Sequence, residues 1–330
     1  MKTKRILSLL VCLILVFTVI TGCSSKTTDI TSTETTSDAG ESANDQLSFA
    51  FLPNTQNNTF QASMNDTFKK LSNEKGYKYV CLDPDYNLNT QLSQLSDVAN
   101  QKFDAVFVIP VDSAGIRQGL QQLKDKNIPV INVDTPVIND DLDLVETVIA
   151  TDAYQAGVLI GQQMAKDYPN GGKIAILDFP SNESCVNRVN GFLEGLGSSK
   201  DKFEIVAQQD GKAALDASMP IAADILQANP DLNAFFAIND PSALGAVAAI
   251  KAANKTDIGV YSIDASPDGK AAIVDGTFTA VAAQVPIEIA KTAFEKALEL
   301  LNGKTIEDKI LLPSHLVDVD EAKKTAGQWQ

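Results

Sequence analysis

Residues 234–269 read AFFAINDPSALGAVAAIKAANKTDIGVYSIDASPDG. An apolar run ends in a polar corner of Asn239, Asp240 and Pro241; an Ala- and Leu-rich stretch follows; a second apolar run ends at Asp264. Short apolar runs bounded by turn residues predict strands, and the longer stretch between them predicts a helix. In open parallel sheets ligands bind outside the carboxyl ends of the strands, so the polar residues at those ends are site candidates. Residues 105–136, AVFVIPVDSAGIRQGLQQLKDKNIPVINVDTP, repeat the design: Ala105 matches Ala234 and Asp134 matches Asp264. An echo at an offset of about 130 residues predicts two similar halves.

A chain of 330 residues with 44% hydrophobic content is long enough for two domains with cores of their own. The formal charge of -15 argues against nucleic acid, which needs Lys and Arg concentrated on one face. One histidine, His315, excludes His-rich zinc sites and any Ser-His or Cys-His machinery that does not use it. Beside Pro313 it reads as a surface or domain-crossing residue. No metal and no cofactor is expected.

Lys2, Lys4 and Arg5 precede an apolar run over residues 6–20, and Ile20, Thr21, Gly22 and Cys23 follow. The run is short for a membrane span and has the pattern of a cleaved export signal over residues 1–22. Its ending resembles the lipobox of bacterial lipoproteins, which implies that Cys23 is lipidated. Residues 23–45 are rich in Ser, Thr, Asp and Glu and too polar to bury a core, so they are expected to act as a flexible tether. The expected product is a body starting near Gln46 and held to the outer face of the cell membrane by lipid alone. Cys81 and Cys185, one in each half, read as packed residues and not as a disulfide.

Beyond Gln46, strand and helix patterns alternate, which predicts an α/β fold of two doubly wound parallel sheets. Strands are expected near residues 47–52, 77–82, 105–109, 129–132 and 148–150, then 173–177, 203–208, 234–237, 259–263 and 279–283. Helices are expected over 153–168, 186–196 and 215–228, with a long amphipathic one after Pro286 and an extended piece over 310–318.

The polar residues at the strand ends are Asn57, Asn58, Asp112, Asp134, Asn239, Asp240, Asp264 and Gln284, with Arg188 on the loop or first turn after the first strand of the second half. These side chains hydrogen-bond in pairs to adjacent hydroxyls, and Phe60 offers a ring face to carbon-bound hydrogens. A small polyhydroxylated ligand suits the set. Each residue also has a structural alternative. Asn57, Asn58 and Asp112 precede helices and could cap them, the better reading for Asp112; of Asn239 and Asp240, one could cap while the other binds. Asp134 and Asp264 could form turns before Pro136 and Pro267, yet they hold matched positions. Arg188 could be a solvated helix residue, Gln284 a partner of a crossing segment, and Phe60 part of the core.

NNTF at Asn57 to Phe60, INVD ending at Asp134, Arg188-x-x-Gly191-Phe192, AIND ending at Asp240 with ALGA after it, SIDASPDG around Asp264 and AAQVP around Gln284 resemble the type I periplasmic sugar-binding proteins, most closely the ribose-binding group. The resemblance covers residues 46–319. It implies two lobes, residues 46–151 with 285–313 and residues 152–284 with 314–330, joined by a three-segment hinge near Thr151, Gln284 and Pro313. It also implies a monomeric, non-enzymatic receptor that closes on a monosaccharide or polyol and delivers it to an ABC permease and its ATPase. By motif match, Asn58, Phe60, Asp134, Arg188, Asn239, Asp264 and Gln284 would contact the ligand. Three departures bear on its identity: Thr135 stands where the group commonly has Arg, Gln61 replaces a second aromatic, and residues 209–214 lack a ring that Phe179 could supply.

Other readings differ in class. An exported enzyme lacks a G-x-S-x-G elbow, a G-x-x-x-x-G-K-[ST] loop and a second histidine. A ligand-gated transcription factor would need a DNA-binding unit where this chain has an export signal. A receptor presenting a small signal molecule, such as a furanose autoinducer, to a membrane sensor keeps the same fold. Loss of the Asp264 side chain is expected to weaken ligand binding while changing ligand-free stability little.

Overall fold

A computed structural model describes residues 46–329; the signal segment, Cys23 and the tether lie outside the described residues. The first half runs β1 (Ser48–Leu52), α1 (Thr59–Glu74), β2 (Lys78–Cys81), α2 (Leu88–Gln101), β3 (Ala105–Val108), α3 (Arg117–Asp125), β4 (Val130–Val133) and β5 (Thr147–Thr151). The second runs α4 (Ala153–Asp167), β6 (Gly172–Asp178), α5 (Glu183–Gly195), β7 (Phe203–Asp210), α6 (Leu215–Ala228), β8 (Ala234–Ala237), α7 (Asp240–Ala252), β9 (Gly259–Asp264), α8 (Pro267–Asp275) and β10 (Ala280–Ala283). Then come α9 (Pro286–Leu301), β11 (Lys309–Leu312) and α10 (Val319–Lys324).

Two parallel sheets result, one of six strands in the order β11-β5-β4-β3-β1-β2 and one of five in the order β10-β9-β8-β6-β7. Laid side by side, β4-β3-β1-β2 and β9-β8-β6-β7 are the same arrangement, so the sequence echo is a repeat of topology. The central strands are apolar throughout because helices cover both faces. In β1, Phe49 and Phe51 enter one core layer while Ala50 and Leu52 enter the other. In β8, Phe235 and Ala237 face one layer and Ala234 and Phe236 the opposite one. Even the aromatic packing repeats: Phe107 of β3 stacks on Phe68 of α1 at 4.2 Å, and Phe236 of β8 stacks on Phe192 of α5 at 4.3 Å. Such pairs contribute about 0.5–1.5 kcal/mol beyond the area they bury.

The chain passes between the sheet units after Thr151, between Ala283 and Pro286, and after Leu312, and these crossings bond to one another. Asp152 N donates to Leu312 O at 2.8 Å, Ser314 N to Gln155 Oε1 at 2.8 Å, and Ser314 Oγ to Ala283 O at 2.7 Å. Beyond the last crossing, Leu316 bridges Ala282 antiparallel, and a helix, α10, follows the expected extended piece, over residues for which the sequence pattern suggested no element.

Two details position the site. First, α5 begins at Glu183, capped by Asn182 whose side chain accepts from Cys185 N at 3.1 Å. Arg188 therefore lies in the second turn of the helix, not on a loop or first turn; the Asn cap starts the helix ahead of its apolar stripe. Second, Gly157 and Gly161 of α4 meet Gly191 and Gly195 of α5 backbone to backbone. A Cβ at Gly157 would overlap the Arg188 carbonyl, and one at Gly191 the Tyr154 carbonyl. These glycines let α5 sit close enough to aim Arg188 between the sheets.

Cys81 and Cys185 are free thiols. His315 is exposed, its Nε2 2.8 Å from Glu321 Oε1. Among the described residues no helix is long and apolar enough to cross a membrane, and no cluster of three His, Cys, Asp or Glu could hold a metal ion.

Candidate functional site

The carboxyl ends of the strands in the two sheets face each other across a cleft. At its base is a small polar cavity of about 40 Å³, lined by Asn58, Phe60, Asp134, Arg188, Asn239, Asp264 and Gln284 among others. It sits beside a wider cavity of about 900 Å³. All seven residues singled out from the motifs thus reach one cavity.

Asp134 and Asp264 reach it through strained backbone. Their φ values are +61° and +143°, the region that L residues seldom occupy, and Ala265 follows at +53°. Strain of this kind costs on the order of 1–3 kcal/mol per residue and turns each carboxylate inward, off the strand axis. A turn role and a site role therefore coexist at both positions.

Asp264 is held on three sides. Gln284 Nε2 donates to its Oδ1 at 2.7 Å, Asp240 N donates to its Oδ2 at 3.2 Å, and Arg188 Nη1 lies 3.6 Å from Oδ1. Burial raises its pKa, while Arg188, Gln284 and the Asp240 amide favour the charged form. Arg188 Nη1 also donates to Ile238 O at 2.6 Å, but its Nε is buried without a protein partner. Leaving such a donor unmade costs about 1–3 kcal/mol or more, which a ligand oxygen would recover.

Asp134 has one side-chain partner, the Thr135 hydroxyl, whose Oγ1 donates to Oδ2 at 3.3 Å. Burial pushes its pKa up to about 6, opposed by Arg188 and reinforced by Asp264. Most of its acceptor capacity is open to the cavity.

Capping and lining coincide at both asparagines. Asn58 caps α1, accepting from Phe60 N at 2.8 Å, and still borders the cavity. Asn239 caps α7, accepting from Ser242 N at 3.0 Å while Nδ2 donates to Ala213 O at 3.0 Å. Its neighbour Asp240 is an internal hub: it accepts from Ser262 Oγ at 2.7 Å and from Ser266 N and Oγ at 2.8 and 2.7 Å. Burial and the nearby Asp264 push the Asp240 pKa up to about 7. Asp112 accepts from Ala114 N and Gly115 N at 3.0 and 2.7 Å, a turn cap at the rim, and Asn57 Nδ2 donates to Asp85 Oδ1 at 3.2 Å. Phe60 belongs to the core of the first sheet and to the cavity wall together.

Other wall residues lie outside those seven: Gln61 and Phe179 entered the sequence reading only through the departures from the resemblance, and Tyr86 did not enter it. Tyr86 lines both cavities from the loop after β2, with φ +57° and its N donating to Asn54 O at 2.7 Å. Burial pushes its phenol up to about 12. The available signal was an aromatic in a strand-end loop; the matching loop of the second half repeats its backbone, with positive φ at Lys212 and Ala213 as at Asp85 and Tyr86, but has Ala213 where the first half has the ring. Gln61 spends its amide inside the first lobe, where Oε1 accepts from Asn54 N and Thr55 N at 2.8 and 3.2 Å. Phe179, directly after β6, supplies a ring to both cavities. Besides the crossings the lobes touch directly: Asn182 Nδ2 donates to Thr135 Oγ1 at 3.0 Å, Ser184 Oγ to Asp134 O at 3.0 Å, and Glu183 N to Ser113 Oγ at 3.1 Å. The two lobes are therefore in direct contact beside the small cavity.

Two parallel sheet units, three linked crossings and a polar cavity between strand ends describe a two-lobed solute receptor. Residues 49–305 match the periplasmic binding protein domain family, and the chain belongs to that family, one of binding proteins and not of enzymes. It is 30% identical to the ribose import binding protein of Escherichia coli strain K12 over 81% of this chain and 89% of that protein. It is also 30% identical to the ribose import binding protein of Bacillus subtilis strain 168, over 79% of this chain and 84% of that one. Among solved structures, a Mycobacterium smegmatis protein in complex with β-D-fucofuranose superposes with a TM-score of 0.79 and 26% identity, covering 84% of this chain and 93% of the other.

Proposed function

We infer that this protein is the extracytoplasmic substrate-binding lipoprotein of an ABC-type sugar importer. It takes a small monosaccharide or polyol between the lobes and hands it, closed, to the permease and its ATPase, with a lipidated Cys23 as its membrane anchor. The observation that carries this reading is the pairing, inside one cavity, of an under-satisfied acceptor, Asp134, with an orphaned buried donor, Arg188 Nε. A hydroxyl both donates and accepts, so adjacent sugar hydroxyls would satisfy the two together. In this reading Asn58, Phe60, Asn239, Asp264 and Gln284 complete the contacts. The ribose-importing relatives and the fucofuranose complex support a sugar-sized, hydroxyl-rich ligand.

A thermal-shift screen of the chain from Gln46 onward against pentoses, hexoses, polyols and autoinducer-like furanoses tests this. A ligand that binds only the folded state adds about 2.7 kcal/mol at a hundredfold excess over Kd, a readily measured rise in midpoint. A pentose, hexose or polyol hit is expected. No shift with any compound would remove the sugar assignment, and a shift with a furanose autoinducer alone would transfer it to signal presentation.

A further inference from the structure

Lys270 in α8 is buried, with 0% of its surface exposed, and contributes nothing to the cavity. A lysine ammonium is costly to bury unless its donors find acceptors. Its acceptors are on the chain's last residues: Nζ donates to Gln328 O at 2.8 Å and to Thr325 O at 3.4 Å. That fixes the segment after α10 to the second lobe. One residue later the chain reaches the other lobe. The Trp329 indole meets the Phe60 ring edge-on, with centroids 5.4 Å apart and planes at 85°, and packs against the apolar core of the first sheet. Trp329 also lines the wide cavity, together with Tyr86 and Phe179.

We propose that Trp329 is a specificity-determining residue of the ligand cleft, carried there by a C-terminal tail that Lys270 latches to the second lobe while the indole grips Phe60 of the first. The argument rests on the sugar-receptor reading above. Gln61 has its amide committed to the Asn54–Thr55 turn and offers no ring, so the apolar wall for the carbon face of a sugar comes from Phe60, Phe179 and the tail. Because the tail is bonded to one lobe and packed on the other, opening the cleft pulls the indole off Phe60. Ring placement and lobe closure are then a single event.

Trp329 is the chain's one tryptophan, so its emission reports this contact directly. The test uses the full chain and its Trp329→Ala, Trp329→Phe and Lys270→Met variants, titrated with D-ribose, D-fucose, L-arabinose, D-galactose and myo-inositol by calorimetry and tryptophan fluorescence. For any sugar that binds, wild-type emission is expected to change with the calorimetric midpoint. Trp329→Ala is expected to raise Kd about tenfold, with Trp329→Phe recovering most of the loss, as truncation and conservative replacement of a packed ring should. An unchanged Kd in Trp329→Ala would overturn the proposal while leaving the sugar reading intact. If no sugar binds the wild type, the sugar reading fails, and the tail is judged by acrylamide quenching without ligand. A shielded indole that Lys270→Met exposes upholds the latch, and an indole as accessible as free tryptophan in the wild type overturns it.

Discussion

Asp134 follows β4 and Asp264 ends β9; the two occupy equivalent places in equivalent sheets, and both take a positive φ. Their surroundings differ. Asp264 is bonded to Gln284 and the Asp240 amide with Arg188 beside it, whereas Asp134 has only its neighbour Thr135. The repeat supplies a carboxylate at each strand end, and the tertiary neighbours decide what it can do. Asp264 organises its own lobe and orients Arg188. Asp134 keeps open acceptors and a proton affinity near neutrality.

The largest effect should come from Arg188, the cation between the two carboxylates. Arg188→Met leaves two buried acids without it, and breaking a buried pair from one side costs about 3–5 kcal/mol. Ligand titration should show binding weakened by more than about a hundredfold, and denaturant melts a clear loss of ligand-free stability. Wild-type binding in this variant would mean that the guanidinium serves the fold alone.

The next test separates the carboxylates. Asp264→Asn should lower ligand-free stability by about 1–3 kcal/mol, since an amide has one oxygen for the two donors, Gln284 Nε2 and Asp240 N, that the carboxylate accepts from, whereas Asp134→Asn should leave it nearly unchanged or raise it. Both should weaken binding. The sequence alone suggested that Asp264 could be lost with little effect on ligand-free stability; its three buried contacts argue otherwise. Equal melts for the two variants would erase the distinction.

pH sharpens the same contrast. The folded pKa of Asp134 lies above its unfolded value, at about 6 against about 3.9, so between these values the native state binds the extra proton. The contribution of Asp134 to stability is thus present below pH 4 and lost as pH rises to 6. The wild type minus Asp134→Asn difference in unfolding free energy should fall across that window. A flat difference would show a carboxylate that is already ionised. Binding that needs the charged form should strengthen through pH 6 in the wild type and not in the variant.

The smallest expected effect is at Thr135. Thr135→Val removes the hydroxyl that accepts from Asn182 across the cleft and donates to Asp134, a loss of about 0.5–1.5 kcal/mol per bond. Solution scattering should show a modest shift toward an expanded, open form. An unchanged profile would place the closure energy elsewhere, in the Ser184 and Glu183 contacts or in the ligand.

Much of the site was legible because strand ends are local. Apolar runs stop at Asp134 and Asp264, and the match between the two stretches marks both as more than turns. Arg188 was misplaced on its element because the helix start depends on Asn182, a polar residue ahead of the apolar pattern. Tyr86 and Trp329 gave no periodic signal, one in a loop and the other at the terminus. Lys270 shows its role only once the backbone carbonyls of the tail are brought to it. The Gly157/Gly161 and Gly191/Gly195 pairs were visible as letters, but only the contact of α4 with α5 gives them meaning.

By itself the sequence determined the alternation of strand and helix, the doubling of the unit and the polar strand ends, because each follows from side-chain periodicity and turn chemistry within a few residues. The tertiary structure decided which carboxylate is held by partners, which donor is left unpaired and where the tryptophan rests. Those depend on burial and on distances between residues far apart in the chain, and no local pattern encodes them.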